Sequence, residues 1–84
     1  MKVNLLYFGR PREYLKLAGE TAELSANAAT VADLLASLRT RGGDWAHELE
    51  ETRVRCSVNQ ELCPLTAPLH DGDEVAIFSP ISGG

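Results

Sequence analysis

Thr30-Val31-Ala32-Asp33-Leu34-Leu35-Ala36-Ser37-Leu38-Arg39 decides how the rest of this chain reads. Thr30 can cap a helix with its hydroxyl. Asp33, three positions on, can answer by accepting the backbone N–H of the cap. Val31, Leu34, Leu35 and Leu38 recur at i, i+3, i+4 and i+7, which lays one apolar stripe along a helix. Arg39 and Arg41 suit its last turn, and Gly42-Gly43 stops it. A helix apolar on one side needs another layer to cover that side, and the flanking segments carry strand patterns that can supply it.

Upstream, residues 3–8 (Val-Asn-Leu-Leu-Tyr-Phe) are rich in β-formers and end at Gly9. Pro11 fits the first turn of a short helix over residues 11–17, closed by Gly19. Residues 20–24 alternate weakly and pair back on the first strand as an antiparallel hairpin, with the short helix at its bend. Downstream, Asp44 caps a second short helix that turns Trp45 and Leu49 inward and leaves His47 on the surface. Residues 55–58 and 61–64 form a tight hairpin about Asn59-Gln60, because Asn tolerates a left-handed backbone. That turn sets Cys56 opposite Cys63, either as a cross-strand disulfide or as two small buried thiols. A CX6C spacing matches no common zinc or redox pattern, so the pair is expected reduced, in a cytoplasmic protein. His70-Asp71-Gly72-Asp73 makes a turn into a last strand, residues 74–78. Val75 and Ile77 share one face of that strand, and Ala76 and Phe78 share the other. The order is β-β-α-β-β-β, an α+β domain.

Size and charge exclude several functions. The chain has 84 residues and a mass of 9.1 kDa, enough for one small domain and too little for a large substrate cleft. Twelve acidic against eight basic residues leave a net charge of −4, which argues against nucleic acid, whose phosphates call for clustered Lys and Arg. No apolar run is long enough for a membrane span, and the start lacks the apolar stretch of a signal peptide. The first 16 residues hold Lys2, Arg10, Arg12 and Lys16 against Glu13 alone, whereas no Lys or Arg follows Arg55. That acidic C-terminal stretch, with Glu61, Asp71, Asp73 and Glu74, reads either as a solvated face or as a surface that docks on a basic partner.

The usual equipment of an enzyme is missing from the sequence. There is no Gly-rich phosphate loop, no metal-ligand cluster and no base suggested beside Ser79 or Ser82. Asp71, Asp73 and Glu74 lack the spacing and the terminal bidentate Glu of a calcium loop. What remains is the end, Pro80-Ile81-Ser82-Gly83-Gly84. Pro80 cannot continue a ladder. Five to six extended residues reach roughly 16–22 Å from the globule. Gly83 and Gly84 have no Cβ, so the tip fits a channel too narrow for other residues. Its carboxylate is unhindered but a poor electrophile, so acyl chemistry there needs activation, for example as an acyl-adenylate. The competing reading is a frayed end.

Taken together these features resemble a known family. The likeness covers nearly the whole chain. It runs through Leu5-Leu6-Tyr7-Phe8 leading to Arg12-Glu13, the Thr30-Val31…Leu34 helix start, Trp45 with Leu49, and Val58-Asn59-Gln60. It continues through Pro68-Leu69-His70-Asp71-Gly72-Asp73-Glu74-Val75 to Phe78-Ser79-Pro80-Ile81-Ser82-Gly83-Gly84. The chain resembles the small, sulfur-carrier subunits of molybdopterin synthase, within the ubiquitin-like β-grasp group. It departs from them in having Ser79-Pro80 where Pro-Pro is common and Ile81-Ser82 where Val-Thr is common. Gly9-Arg10-Pro11 also differs from the usual start of the short helix.

The resemblance implies a mixed sheet of about five strands on one main helix, with residues 1–79 as the β-grasp domain and 80–84 as an extended tail. It implies that an E1-like adenylyltransferase uses ATP and magnesium to adenylate Gly84. Sulfur then replaces AMP to give a C-terminal thiocarboxylate. The tail, Pro80 to Gly84, would enter the large subunit of molybdopterin synthase, in a heterotetramer, and donate sulfur to cyclic pyranopterin monophosphate. This chain would bind no cofactor or metal itself and would have no activity alone. Other acceptors in the wider group are the thiazole of thiamine and tRNA bases, and a ubiquitin-like protein modifier is a further alternative. Phe8, Leu62 and Phe78 match apolar positions that meet the partner in the family. Arg12 matches a position that makes polar contacts there. From the residues alone, the less favoured reading puts Phe8 and Phe78 in the core, and Arg12 could equally be solvated. The two-residue strand period does require Tyr7 and Phe8 to face opposite ways, so only one of them is core.

Overall fold

The computed structural model describes residues 1–25 and 27–80. Eight elements follow in order: β1 (Lys2–Tyr7), α1 (Gly9–Leu15), β2 (Gly19–Glu23), α2 (Val31–Arg39), α3 (Asp44–Glu48), β3 (Arg55–Val58), β4 (Glu61–Cys63) and β5 (Glu74–Phe78). The strands form one sheet in the order β2-β1-β5-β3-β4. β1 and β5 run parallel at its centre, while β1–β2, β3–β5 and β3–β4 are antiparallel. The sheet is mixed, as expected, because the last strand returns past the helix to lie beside the first.

α2 starts where the capping pattern places it. The Thr30 hydroxyl accepts the Asp33 N–H at 3.2 Å, and the Asp33 carboxylate accepts the N–H groups of Thr30 at 3.0 Å and Ala29 at 2.8 Å. Those backbone donors, Ala29 first, hold the Asp33 carboxyl below its ordinary range. Val31, Leu34, Leu35 and Leu38 are all buried. They join Val3, Leu5, Tyr7, Ala22, Cys56, Val75 and Ile77 from the sheet in one core, with Leu24, Leu49, Val54 and Leu69 from the connections.

Three local expectations are corrected. The first helix runs over Gly9–Leu15 and is closed by Lys16, which sits in the left-handed region at φ 56°. Gly19 therefore does not close it but opens β2. A Cβ on Gly19 would come within 2.7 Å of the Leu5 carbonyl oxygen, so the strand crossing, and not a helix end, requires the glycine. Phe8 caps α1 in extended geometry, although its N–H still donates to the Ile77 carbonyl at 3.0 Å and prolongs the ladder by one bond. In α3 the cap is Gly43, and Asp44 is the first helical residue, with its charge at the favourable helix end.

The two hairpin expectations hold. Asn59 and Gln60 both take positive φ, 52° and 70°, which suits a two-residue turn whose twist matches the strands. The Asn59 side chain also latches the turn to the start of β5. Its amide donates to Asp73 Oδ1 at 3.0 Å, and its carbonyl oxygen accepts the Glu74 N–H at 3.0 Å. Cys56 does lie opposite Cys63, and both are free thiols. Counted from the turn, theirs is a hydrogen-bonded pair, the wider of the two cross-strand kinds, in which Cβ atoms typically stand about 5.5 Å apart against about 4 Å in a disulfide. Burial, with the neighbouring Cys63 adding to it, pushes the Cys56 thiol up to about 12.

Two ion pairs tie the short helices to this frame. Glu48, almost fully buried, accepts from Arg10 at 2.8 Å and joins α3 to α1. Glu20 accepts both outer guanidinium nitrogens of Arg41 at 2.8 and 3.0 Å and the Tyr7 hydroxyl at 2.8 Å. The Arg41 guanidinium lies 4.3 Å above the ring of Trp45, which meets the Tyr7 ring edge-on. No helix among the described residues is long and apolar enough to cross a membrane.

Candidate functional site

Strand alternation gives the sheet a second face, turned away from α2. Tyr7 is fully buried on the core side, and Phe8, the next residue, is 44% exposed. Phe8 and Phe78 thus belong to the free face and not to the core. Phe78 is half-buried there.

The strand register arranges this face in rows. One row crosses all five strands as Gly19, Leu6, Ala76, Ser57 and Leu62. The next holds Phe78 paired with Arg55, and Phe8 lies beside Phe78 along the prolonged β1–β5 ladder. In the other direction lie Thr21, Asn4 and Glu74, then Glu23 and Lys2. The free face is therefore polar at one end and apolar at the other. The apolar half is the end where β5 hands the chain to Ser79 and Pro80. An open groove of about 400 Å³ lies in this half, lined by Phe8, Gly9, Ser57, Ala76, Phe78 and Ser79. Leu62, 68% exposed, stands on the same face on the edge strand β4. Apolar side chains collected in this way on an exposed face mark a surface that another molecule covers.

The expected site residues divide as follows. Phe8, Leu62 and Phe78 share the face, and Phe8 and Phe78 share the groove. Arg12 is exposed on α1, one helical turn beyond the groove residue Gly9. Pro80 is exposed at the end of the described chain. Ile81, Ser82, Gly83 and Gly84, including the expected reactive carboxylate, lie outside the described residues. Among the described residues, no group of three or more His, Cys, Asp or Glu side chains converges on a point that could hold a metal. What this arrangement offers is an apolar surface beside the point where the chain leaves β5.

Sequence reasoning missed Arg55, Leu6 and Ser57. Alternation alone could have set Arg55 and Ser57 on the face opposite Cys56. What it lacked was the neighbour of β3, since only the β3–β5 pairing brings Arg55 beside Phe78.

One sheet of order β2-β1-β5-β3-β4, with parallel central strands and one capped helix on one face, defines a ubiquitin-like β-grasp domain. Its architecture aligns with the crystal structure of SAMP1 (small archaeal modifier protein 1) from Haloferax volcanii. That match has a TM-score of 0.69, 27% identity and full coverage of both chains. In sequence, residues 5–84 match the ThiS family, and the chain belongs to that family. Over 82 residues it is 35% identical to the molybdopterin synthase sulfur carrier subunit of Escherichia coli, covering 98% of this chain and 99% of that one. It is 33% identical over 82 residues to the subunit of the same name in Haemophilus influenzae, with the same coverage.

Proposed function

We propose that this protein is a sulfur carrier in molybdenum cofactor biosynthesis, with residues 1–79 as the carrier domain and 80–84 as the tail that bears the sulfur. The observation that carries the reading is the position of the apolar half-face, at the root of that tail. A partner seated on Phe8, Leu62 and Phe78 would receive whatever follows Pro80. The names of the E. coli and H. influenzae relatives support the same role.

In this reading the Gly84 carboxylate attacks the α-phosphorus of ATP on an E1-like adenylyltransferase that supplies the magnesium. Pyrophosphate leaves, and an acyl-adenylate forms. A sulfide equivalent then attacks the acyl carbon. The C–S bond forms, the bond to AMP breaks, and a thiocarboxylate results. The large subunit of molybdopterin synthase accepts the charged tail, two carriers serve a heterotetramer, and sulfur passes to cyclic pyranopterin monophosphate. The carrier's own residues fold, dock and present; its chain end is the reactant. Small unbranched Gly83 and Gly84 suit passage through a narrow channel.

The test is the intact mass of the full chain after incubation with the activating enzyme, ATP, magnesium and a sulfur donor. Exchange of one oxygen for sulfur at Gly84 is expected, and its absence with active enzyme contradicts the reading. The likeness to SAMP1 favours one second reading, a protein modifier joined to lysines. Gly84-dependent conjugates that survive denaturing gels would support it.

A further inference from the structure

Among the described residues, Arg55 is the one charged residue that the register sets inside the apolar half of the free face, as the cross-strand partner of Phe78. It is exposed, and its side chain donates to the carbonyl of its own neighbour Val54 at 3.2 Å. No carboxylate lies within ion-pair distance of it among the described residues, whereas Arg10 and Arg41 are matched to Glu48 and Glu20. A guanidinium in that position lays its stem on apolar surface and keeps most of its five N–H donors unmet by the fold. Arginine is enriched in protein interfaces for this reason, since it combines apolar area with a fork that fits a carboxylate.

A second exposed arginine, Arg12, lies in α1, the helix that begins at the groove residue Gly9. β1 and β3 flank β5 on either side, about 10 Å apart. The chain therefore leaves β5 beside an arginine, although its net charge is −4. A partner that matched only the overall charge would be basic at this point; the local charge calls for acid.

We propose that Arg55 is a specificity-determining contact of the docking face and takes a carboxylate on the rim of the partner surface that receives the tail. The proposal rests on the docking reading above and adds the sign and place of the charge. Its test is titration of the molybdopterin synthase large subunit from the same organism with the full chain and its Arg55 variants, at low and high salt. Arg55→Glu should weaken binding about tenfold or more at low ionic strength, and added salt should narrow the gap. Arg55→Lys should keep part of the affinity. Binding by Arg55→Glu as tight as the parent's overturns the proposal, as does a gap that salt leaves unchanged. Failure of the parent itself to bind would instead remove the docking reading. Thermal melts check the fold. Should Arg55→Glu unfold, Arg55→Gln, which keeps much of the stem, must both weaken binding and flatten its salt dependence, or the proposal falls.

Discussion

The two faces of this sheet are made from the same strands by alternate residues, and they have opposite fates. Tyr7 is sealed in the core while Phe8 is nearly half exposed; Ile77 is fully buried while Phe78 borders an open groove. A domain of this size has little apolar area to spare for stability. Leaving Leu6, Phe8, Ala76, Phe78 and Leu62 off the core forgoes burial in the folded chain, and that burial becomes available when a partner arrives. Stability belongs to one parity of the strands, and the proposed docking to the other.

The comparison breaks most visibly on the core side. Leu34→Ala empties a site with no exposure, where the neighbours cannot collapse from both the helix and the sheet. It should cost about 2–5 kcal/mol in urea unfolding, a large share of a small domain's stability. Gly19→Ala comes next, because its Cβ would press on the Leu5 carbonyl and push β2 off β1. A loss of about 1–3 kcal/mol is expected from such overpacking. Thr30→Ala removes the hydroxyl that caps α2 and should cost about 1 kcal/mol.

pH probes the same frame. The Arg41 fork, aided by the Tyr7 hydroxyl, holds the Glu20 carboxyl below its ordinary range, opposed by partial burial. A carboxyl lowered in the folded state contributes stability that is present above its unfolded value, near 4, and is lost as pH falls through the lower folded value. Tyr7 works in the other direction. Burial, then its bond to Glu20, raises it above its ordinary value near 10, so its contribution is intact at neutral pH and declines above that value. Thermal melts across pH should show both losses, and Glu20→Gln should flatten the acid limb.

The smallest effect on stability is expected on the free face, and there the contrast is sharpest. Leu62→Ala should change unfolding free energy by no more than about 0.5 kcal/mol, because the side chain is mostly in water. The same change should cost about 1–2 kcal/mol of binding to the large subunit.

Much of this was legible in the sequence because it is local. The α2 cap is a four-residue pattern, and its stripe of Val31, Leu34, Leu35 and Leu38 repeats within three turns. The Asn59-Gln60 turn fixes its own register and with it the Cys56–Cys63 pairing. The ends of the short helices were misplaced because Lys16 adopts a left-handed conformation that its residue type does not advertise, and because Gly19 answers to a strand crossing distant in the chain. The site was half legible. Phe8, Leu62 and Phe78 stood out as large apolar residues, and the two-residue period forced Phe8 away from Tyr7. That they crowd one end of the face depends on which strands are neighbours, and β5 beside both β1 and β3 is a long-range fact. Arg55 was missed for the same reason.

The most direct test places one charge on the free face. Titration of the molybdopterin synthase large subunit with the full chain and with Leu62→Asp, each checked by a thermal melt, separates docking from folding. The account predicts that the parent binds, and that Leu62→Asp melts with the parent and loses binding by about tenfold or more. Unchanged binding by a folded Leu62→Asp would contradict it, because the free face would then not be where the partner sits.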